Sequence, residues 1–137
     1  MLKKLKYLFF IVALSFFQHL SFSQGNKIDS LKAVLLSIEK MEPGYSADTS
    51  KINTLNALAN ELSAKQSDTA IALSKQALKN SEKIKWDLGI SKSLTQIGNF
   101  YKNKSNYTSA NEYYLKALAA IERLEKNTAP EMLNSVL

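Results

Sequence analysis

Two neighbouring segments decide the fold: Leu94-Thr-Gln-Ile-Gly-Asn-Phe-Tyr101 and Tyr107-Thr-Ser-Ala-Asn-Glu-Tyr-Tyr-Leu-Lys-Ala-Leu118. Apolar and small residues recur in both at intervals of three and four, which is the spacing of one face of an α-helix. Neither segment alternates polar and apolar residues in the manner of a strand. We therefore predict two helices joined by a short turn.

The same pattern occurs about 40 residues earlier in the chain. A shift of 39 residues aligns four positions of an earlier helix with this first segment: Leu55 with Leu94, Leu58 with Ile97, Ala59 with Gly98, and Leu62 with Tyr101. A shift of 40 aligns four more with the second segment: Ala70 with Ala110, Ser74 with Tyr114, Ala77 with Ala117, and Leu78 with Leu118. The one-residue difference predicts a slightly longer turn in the second repeat. A recurring helical hairpin of this length predicts a solenoid, in which hairpins bury their apolar faces by stacking.

Further helices are predicted around these repeats. The first runs from Asn26 to Met41 and carries Ile28, Leu31, Leu35 and Ile38 at helical spacing. A break at residues 42–48, which contains Pro43-Gly44, is followed by a second helix near Thr49 with Asp48 or Thr49 as its cap. Later helices are predicted to begin at Ser67-Asp68, near Asp87 and near Tyr107. A sixth is predicted from Thr128, where Thr128 and Glu131 form a capping box and Pro130 lies in the first turn.

The composition agrees with helices and argues against catalysis. The 137 residues include no Cys, 4 Gly and 2 Pro, and 45% of them are hydrophobic. The single His, His19, lies in a segment that we predict to be removed. A mature chain without Cys or His lacks the usual zinc ligands and the base of a Ser-His-Asp triad. We therefore expect no enzyme activity, no catalytic residues, no metal and no cofactor.

Residues 1–23 have the features of a secretory signal peptide. Lys3, Lys4 and Lys6 precede an apolar run from Tyr7 to Phe17, which is far shorter than the ~20 residues that span a bilayer. Small residues at Ser21 and Ser23 predict cleavage between Ser23 and Gln24, which would leave a periplasmic or secreted chain. The alternative is an uncleaved N-terminal anchor, and only that form, or a longer form of the protein, would contact a membrane.

Loss of this leader changes the charge of the chain. Removal of residues 1–23 takes away three of the 18 Lys and Arg residues and leaves 15, against 12 Asp and Glu. The net charge therefore falls from +6 to +3. That value is ordinary for a soluble surface, and we expect no nucleic-acid binding.

The repeats resemble the tetratricopeptide repeat family. Leu94-x-x-Ile97-Gly98-x-x-Tyr101 is similar to the first helix of that repeat, and Tyr107-x-x-Ala110-x-x-x-Tyr114-x-x-Ala117-Leu118 is similar to the second. The resemblance implies an all-α, right-handed superhelical solenoid. It also implies a structural core that consists of Leu58, Ala59, Ala70, Ala77, Ile97, Gly98, Tyr101, Tyr107, Ala110, Tyr114 and Ala117. The chain departs from the pattern at Ala59, Leu62, Ser67 and Ser74, and by lacking the usual closing Pro.

The predicted leader, the N-terminal helix and the resemblance, which covers about residues 49–137, together divide the chain into five parts. Residues 1–23 are the signal peptide, and residues 24–48 form an N-terminal helix and loop. Residues 49–86 form the first repeat and residues 87–127 the second. Residues 128–137 would be the incomplete first helix of a third repeat, with Met132, Leu133, Val136 and Leu137 as its apolar face.

Family members commonly bind extended peptides along the concave face of their first helices. Here that face carries two stripes of polar side chains, Asn53, Asn56, Asn60 and Ser63 on one helix and Lys92, Thr95, Asn99 and Lys102 on the other. Asn side chains offer donors and acceptors to a peptide backbone, and the two Lys could attract a carboxylate. A plain solvated surface rich in Asn and Lys is an equally strong interpretation.

The sequence thus predicts an exported scaffold that binds an unidentified protein or peptide. The predicted leader ends Ser-Phe-Ser-Gln24 and is followed by Lys27-Ile-Asp-Ser-Leu-Lys32 and by Asp48-Thr-Ser-Lys51, which opens the repeats. This layout resembles exported tetratricopeptide proteins of Bacteroidetes-type bacteria. An alternative function follows from that resemblance: the chain would be the sensory segment, or a truncated form, of a signalling protein such as a histidine kinase or a nucleotide cyclase.

Overall fold

The computed structural model of the chain describes the backbone of residues 27–134 and the side chains of residues 27–127. The described backbone forms five α-helices: α1 (27–38), α2 (Tyr45–Leu62), α3 (Ser67–Lys83), α4 (Asp87–Asn103) and α5 (Tyr107–Asn134). This part of the chain contains no strand, so the predicted all-α class is confirmed. The predicted signal peptide and its cleavage site lie outside the described residues.

The predicted starts of three helices are confirmed. α3 begins at Ser67, α4 at Asp87 and α5 at Tyr107. Asp68 and Asp87 lie in the first turns of α3 and α4, where a negative charge is favoured by the helix dipole. α1 ends at residue 38, three residues before the predicted end at Met41.

α2 begins four residues earlier than predicted. Its N-cap is Gly44, which has no side chain to donate or accept, so the predicted capping by Asp48 or Thr49 is wrong. Instead, Thr49 Oγ1 donates to the carbonyl oxygens of Tyr45 (2.9 Å) and Ser46 (3.1 Å) within the first turns. The additional turn places Ala47 in the core, and this burial favours the earlier start.

α5 continues to Asn134 as one helix of 28 residues, so the predicted helix start at Thr128 is wrong. Residues 122–127 contain strong helix formers and no Gly, which favours continuation of the helix. Pro130 removes only its own N–H from the hydrogen-bond ladder, although a Pro inside a helix typically costs ~3 kcal/mol. The helix boundaries do not test the assignment of residues 128–137 to a third repeat, which stays a prediction.

The turn inside the second hairpin is shorter than the turn inside the first, contrary to the prediction. Four residues, 63–66, join α2 to α3, whereas three residues, 104–106, join α4 to α5. α4 takes up the difference by extending beyond the position that corresponds to the end of α2. Ser105 has a φ of 58°, and the Asn106 N–H donates to the Tyr101 carbonyl (2.9 Å) in the Schellman pattern.

Each hairpin packs against its neighbours in chain order. Ile28, Leu31 and Leu35 of α1 lie against a cluster from α2, α3 and α4 that consists of Leu58, Ala59, Leu62, Ala70, Ile71 and Phe100. The half-buried Trp86 packs against Ile52, Leu55 and Ala77 of the first hairpin. Ile90 and Leu94 of α4 pack against Ala117 and Ala120 of α5. α4 therefore lies at the centre, in contact with α2, α3 and α5.

Most of the predicted structural core is confirmed. Eight of its members are buried, namely Leu58, Ala59, Ala70, Ala77, Ile97, Gly98, Ala110 and Ala117. Tyr101 and Tyr114 are half-buried. Tyr107 is 63% exposed because it occupies the first position of α5, so its assignment to the core is wrong. Leu118, which aligns with Leu78, is 52% exposed, and Ile121 is 39% exposed.

Gly98 permits the close approach of α4 and α5. A Cβ atom at this position would lie 2.6 Å from Tyr114 Cε1, inside van der Waals contact. The position at which the two helices cross therefore needs a small residue.

Candidate functional site

A groove of about 570 Å³ lies along the first helices of the two hairpins. α2 and α4 both line it, and Ile121 of α5 contributes an apolar side chain. The lining consists of Asn53, Asn56, Ala57, Asn60, Ser91, Lys92, Thr95, Gln96, Asn99 and Ile121. The groove is open to solvent along its length, so it can accept an extended segment of chain.

The structure brings together six of the eight residues predicted on the polar stripes: Asn53, Asn56, Asn60, Lys92, Thr95 and Asn99. Ser63 and Lys102 do not line the groove, because both lie at the C-terminal ends of their helices. Ser63 is the C-cap of α2, and its hydroxyl donates to the Asn60 carbonyl (2.7 Å). Lys102 is exposed in the last turn of α4.

A polar contact between α2 and α4 fixes the floor of the groove. Asn56 Nδ2 donates to Ser93 Oγ (2.9 Å), and Gln96 Nε2 donates to the Asn56 backbone carbonyl (2.7 Å). The second bond crosses to a carbonyl of the neighbouring helix, so it fixes the position of α4 along α2. Asn56 is therefore a half-buried contact between the hairpins as well as a lining residue.

Asn56 also leaves one polar atom unsatisfied. Its Oδ1 is buried and has no hydrogen-bond partner among the described residues. A buried acceptor without a donor costs about 1–3 kcal/mol of desolvation free energy.

The other Asn side chains of the groove differ in whether they have a hydrogen-bond partner within the described part of the chain. Asn99 accepts a hydrogen bond from the Tyr114 hydroxyl at Oδ1 (2.8 Å), which orients its side chain and leaves its NH₂ group toward solvent. Asn53 and Asn60 are exposed on α2, and Thr95 is exposed on α4. Lys92 supplies positive charge, and no carboxylate occurs among the described residues that line the groove. The groove thus offers amide donors and acceptors beside one cation.

Gln96 and Ser91 are lining residues that the sequence reasoning missed. Both are buried on α4. Gln96 lies four residues after Lys92 and three before Asn99, so helical spacing alone places it beside the predicted stripe. The helical spacing could therefore have identified Gln96 as a lining residue. It was missed because Gln96 lies beside Ile97 in a segment that was interpreted as apolar core.

A second groove of about 440 Å³ is formed by α3, α4 and α5. Its apolar floor includes Leu78, Ile90 and Leu94, and Glu82, Lys116 and Arg123 bring charges to it. Arg123 Nε donates to Asp87 Oδ1 (3.1 Å), and Lys116 Nζ lies 5.3 Å from the centre of the Tyr113 ring. Its two cations thus already have partners within the chain, whereas Lys92 in the first groove has no ion-pair partner among residues 27–127.

Within residues 27–127, no group of three or more Asp, Glu or His side chains lies close enough together to hold a metal ion. Among the described helices, none combines the length and the apolar character that crossing a bilayer requires. No protein-family model, no curated protein and no solved structure matches the chain.

Proposed function

We propose that the chain is a tetratricopeptide-type solenoid that binds an extended peptide segment of another protein in the groove between α2 and α4. The observation that carries the proposal is the gathering of Asn53, Asn60, Thr95 and Asn99 on one open surface. An extended peptide exposes both N–H donors and C=O acceptors along its backbone, and Asn side chains can meet both. Two helices that present amides side by side suit such a ligand better than a compact molecule.

Two further features of the groove support a peptide. Ile121 offers an apolar contact to a side chain of the ligand, and exposed Lys92 attracts an acidic side chain or a terminal carboxylate. A peptide with one acidic group and at least one apolar side chain is therefore the expected ligand.

The place of binding follows from the N-terminal segment. We propose that residues 1–23 direct export and are removed before Gln24, so the partner is itself a periplasmic or secreted protein. The mass of secreted material tests this step, because it should begin at Gln24.

Peptide selection against the immobilised chain, followed by affinity measurement, tests the binding proposal. The variant with Asn60→Ala and Asn99→Ala should bind a selected acidic peptide with roughly 5- to 150-fold lower affinity. The reason is that each lost hydrogen bond typically costs about 0.5–1.5 kcal/mol of binding free energy. The matched control removes two exposed amides outside the groove, through Gln76→Ala and Asn103→Ala, and should bind normally. Equal affinity of the two variants, with unchanged helicity, would leave the groove a solvated surface.

A further inference from the structure

Two equivalent Asn side chains of the groove differ in what they can offer a ligand. Asn60 of α2 and Asn99 of α4 hold the same position in the two hairpins. Ser63 donates to the Asn60 backbone carbonyl, and within residues 27–127 the Asn60 side chain has no hydrogen-bond partner. Asn60 can therefore turn either its oxygen or its NH₂ group toward a ligand. Asn99 Oδ1 already accepts a hydrogen bond from the Tyr114 hydroxyl (2.8 Å), so its two N–H donors remain for a ligand.

Packing as well as the hydrogen bond fixes the position of Tyr114. Its half-buried ring lies against the backbone of α4 at Gly98, where a Cβ atom would be 2.6 Å from Tyr114 Cε1. The hydroxyl thus reaches Asn99, the next residue of α4. Ser74, which corresponds to Tyr114 in the first hairpin, is fully buried, and its hydroxyl has no hydrogen-bond partner within the described part of the chain. Of the two Asn side chains, only Asn99 is therefore oriented by its own hairpin.

Lys92 adds further donors to the same side of the groove. It is exposed and lies seven residues before Asn99, which is about two helical turns or about 10.5 Å along α4. Its ammonium group has three donors and no acceptor. No carboxylate occurs among the described lining residues, so none of them neutralises this charge. Below, Lys92 and Asn99 are called the donor pair.

We propose that the donor pair selects a proline-containing acidic segment in the polyproline II conformation, and that Tyr114 is the positioning residue for this selection. The proposal rests on the proposed function, because it takes the ligand of the groove to be a peptide. It narrows that ligand to a segment whose backbone presents acceptors, without donors, to α4.

Hydrogen-bond complementarity favours such a ligand over an extended strand. The edge of a strand presents both N–H and C=O groups. An N–H group that faced Lys92 or Asn99 would meet another donor and would forgo a hydrogen bond. Proline has no N–H, and the carbonyls of polyproline II are free to accept because this conformation has no internal hydrogen bonds. An acidic side chain beside the prolines supplies the countercharge for Lys92.

The spacing of the donor pair agrees with the same conformation. Polyproline II has three residues per turn, so its carbonyls recur on one side about every 9 Å. An extended strand repeats its edge about every 7 Å, or about 13 Å over two repeats. The ~10.5 Å between Lys92 and Asn99 is closest to one turn of polyproline II. The long Lys92 side chain can bridge the remaining difference.

Selection from a random peptide library against the full chain tests the ligand class. We expect the enriched peptides to contain Pro several-fold more often than the unselected library and to carry at least one Asp or Glu. Enriched peptides without this excess of Pro would overturn the inference and leave the proposed function intact. Failure to enrich any peptide would overturn both.

A selected peptide and its counterpart with Ala in place of each Pro then test the role of Tyr114. The unmodified chain should bind the Pro peptide more tightly than the Ala peptide. Tyr114→Phe keeps the ring beside Gly98 but removes the hydroxyl, so Asn99 can turn its oxygen toward a peptide N–H. The ratio of the two affinities should then fall by roughly 5-fold, the factor that corresponds to one net hydrogen bond. The helical circular dichroism should be unchanged.

Tyr113→Phe is the matched control. Tyr113 precedes Tyr114 in α5, but it lines the second groove and stacks on Tyr101, with the ring centroids 5.5 Å apart. Its variant should leave the affinity ratio unchanged. Equal ratios in the unmodified chain and both variants would overturn the positioning role of Tyr114. Weaker binding of both peptides to Tyr114→Phe by the same factor would show a merely structural role and would also contradict the proposal.

Discussion

The two hairpins repeat one pattern, yet equivalent positions differ in burial. Leu78 of α3 is half-buried, whereas Leu118 of α5 is 52% exposed. Asn56 of α2 is half-buried against α4, whereas Thr95, its equivalent on α4, is exposed. The first hairpin has α1 on one side and α4 on the other, but the second has a described neighbour on one side only. The burial of a repeat position is therefore decided by the neighbouring hairpin as much as by the residue itself.

The hairpins also solve the crossing of their helices differently. The second uses Gly98 with the large Tyr114, and the first uses Ala59 with the small Ser74 at the equivalent positions. In the second hairpin the Tyr114 ring occupies the space that a Cβ at position 98 would need. Each hairpin thus has its own pair of sizes, and exchanging one member should be costly.

The largest expected effect is that of Gly98→Ala. Its Cβ would overlap the Tyr114 ring, which is also held by its hydrogen bond to Asn99, so we expect a loss of about 3 kcal/mol, the upper end of overpacking. Adding Tyr114→Ser recreates the pair of the first hairpin and should recover part of the loss. Urea unfolding of the single and double variants measures the coupling. If the losses of the two single variants simply added up in the double variant, the sizes of the residues at positions 98 and 114 would not be coupled.

The next effect separates the two equivalent leucines. Leu78→Ala should lower the unfolding free energy by about 2 kcal/mol, since the side chain packs against Ile90 and Leu94. Leu118→Ala should change it by less than about 0.5 kcal/mol, as for other surface substitutions. Both losses are measured by chemical denaturation under the same conditions. Similar losses in the two variants would mean that the second hairpin is covered like the first.

The smallest effect concerns the turns. Ser105 adopts a left-handed φ of 58°, whereas the turn of the first hairpin, residues 63–66, contains no positive φ. A left-handed backbone conformation costs a residue with a Cβ about 1–2 kcal/mol, and replacement by glycine relieves this strain. Glycine's greater conformational entropy in the unfolded state offsets about half of the stability that is gained. Ser105→Gly should therefore raise the unfolding free energy by about 0.5–1 kcal/mol in thermal unfolding. Lys104→Gly, at a φ of −85°, is the control and should lower it.

The parts of the fold that the sequence predicted are those set by local signals. Ser67, Asp87 and Tyr107 start helices as predicted, and the spacing of Asn53, Asn60, Lys92 and Asn99 placed them correctly on one groove. The parts that it missed depend on distant neighbours or on competing local signals. Gly44, and not Asp48 or Thr49, is the N-cap of α2, because the earlier start buries Ala47 in the core. The Asn56 side chain contacts Ser93, because α4 packs against α2 at that position. At Thr128, helix continuation prevailed over a capping box.

The central position of α4 has a kinetic consequence. The larger contacts among α2 to α5 join helices that are adjacent in the chain, namely α2 with α3, α3 with α4, and α4 with α5. Such local contacts give a low contact order, and helical proteins of low contact order fold within microseconds to milliseconds. Each of these contacts joins a helix to the helix just before it in the chain. A nascent chain can therefore form its larger native contacts in order as it emerges. The second hairpin is completed, and joined to the first through α4, once α5 has emerged and packed against α4.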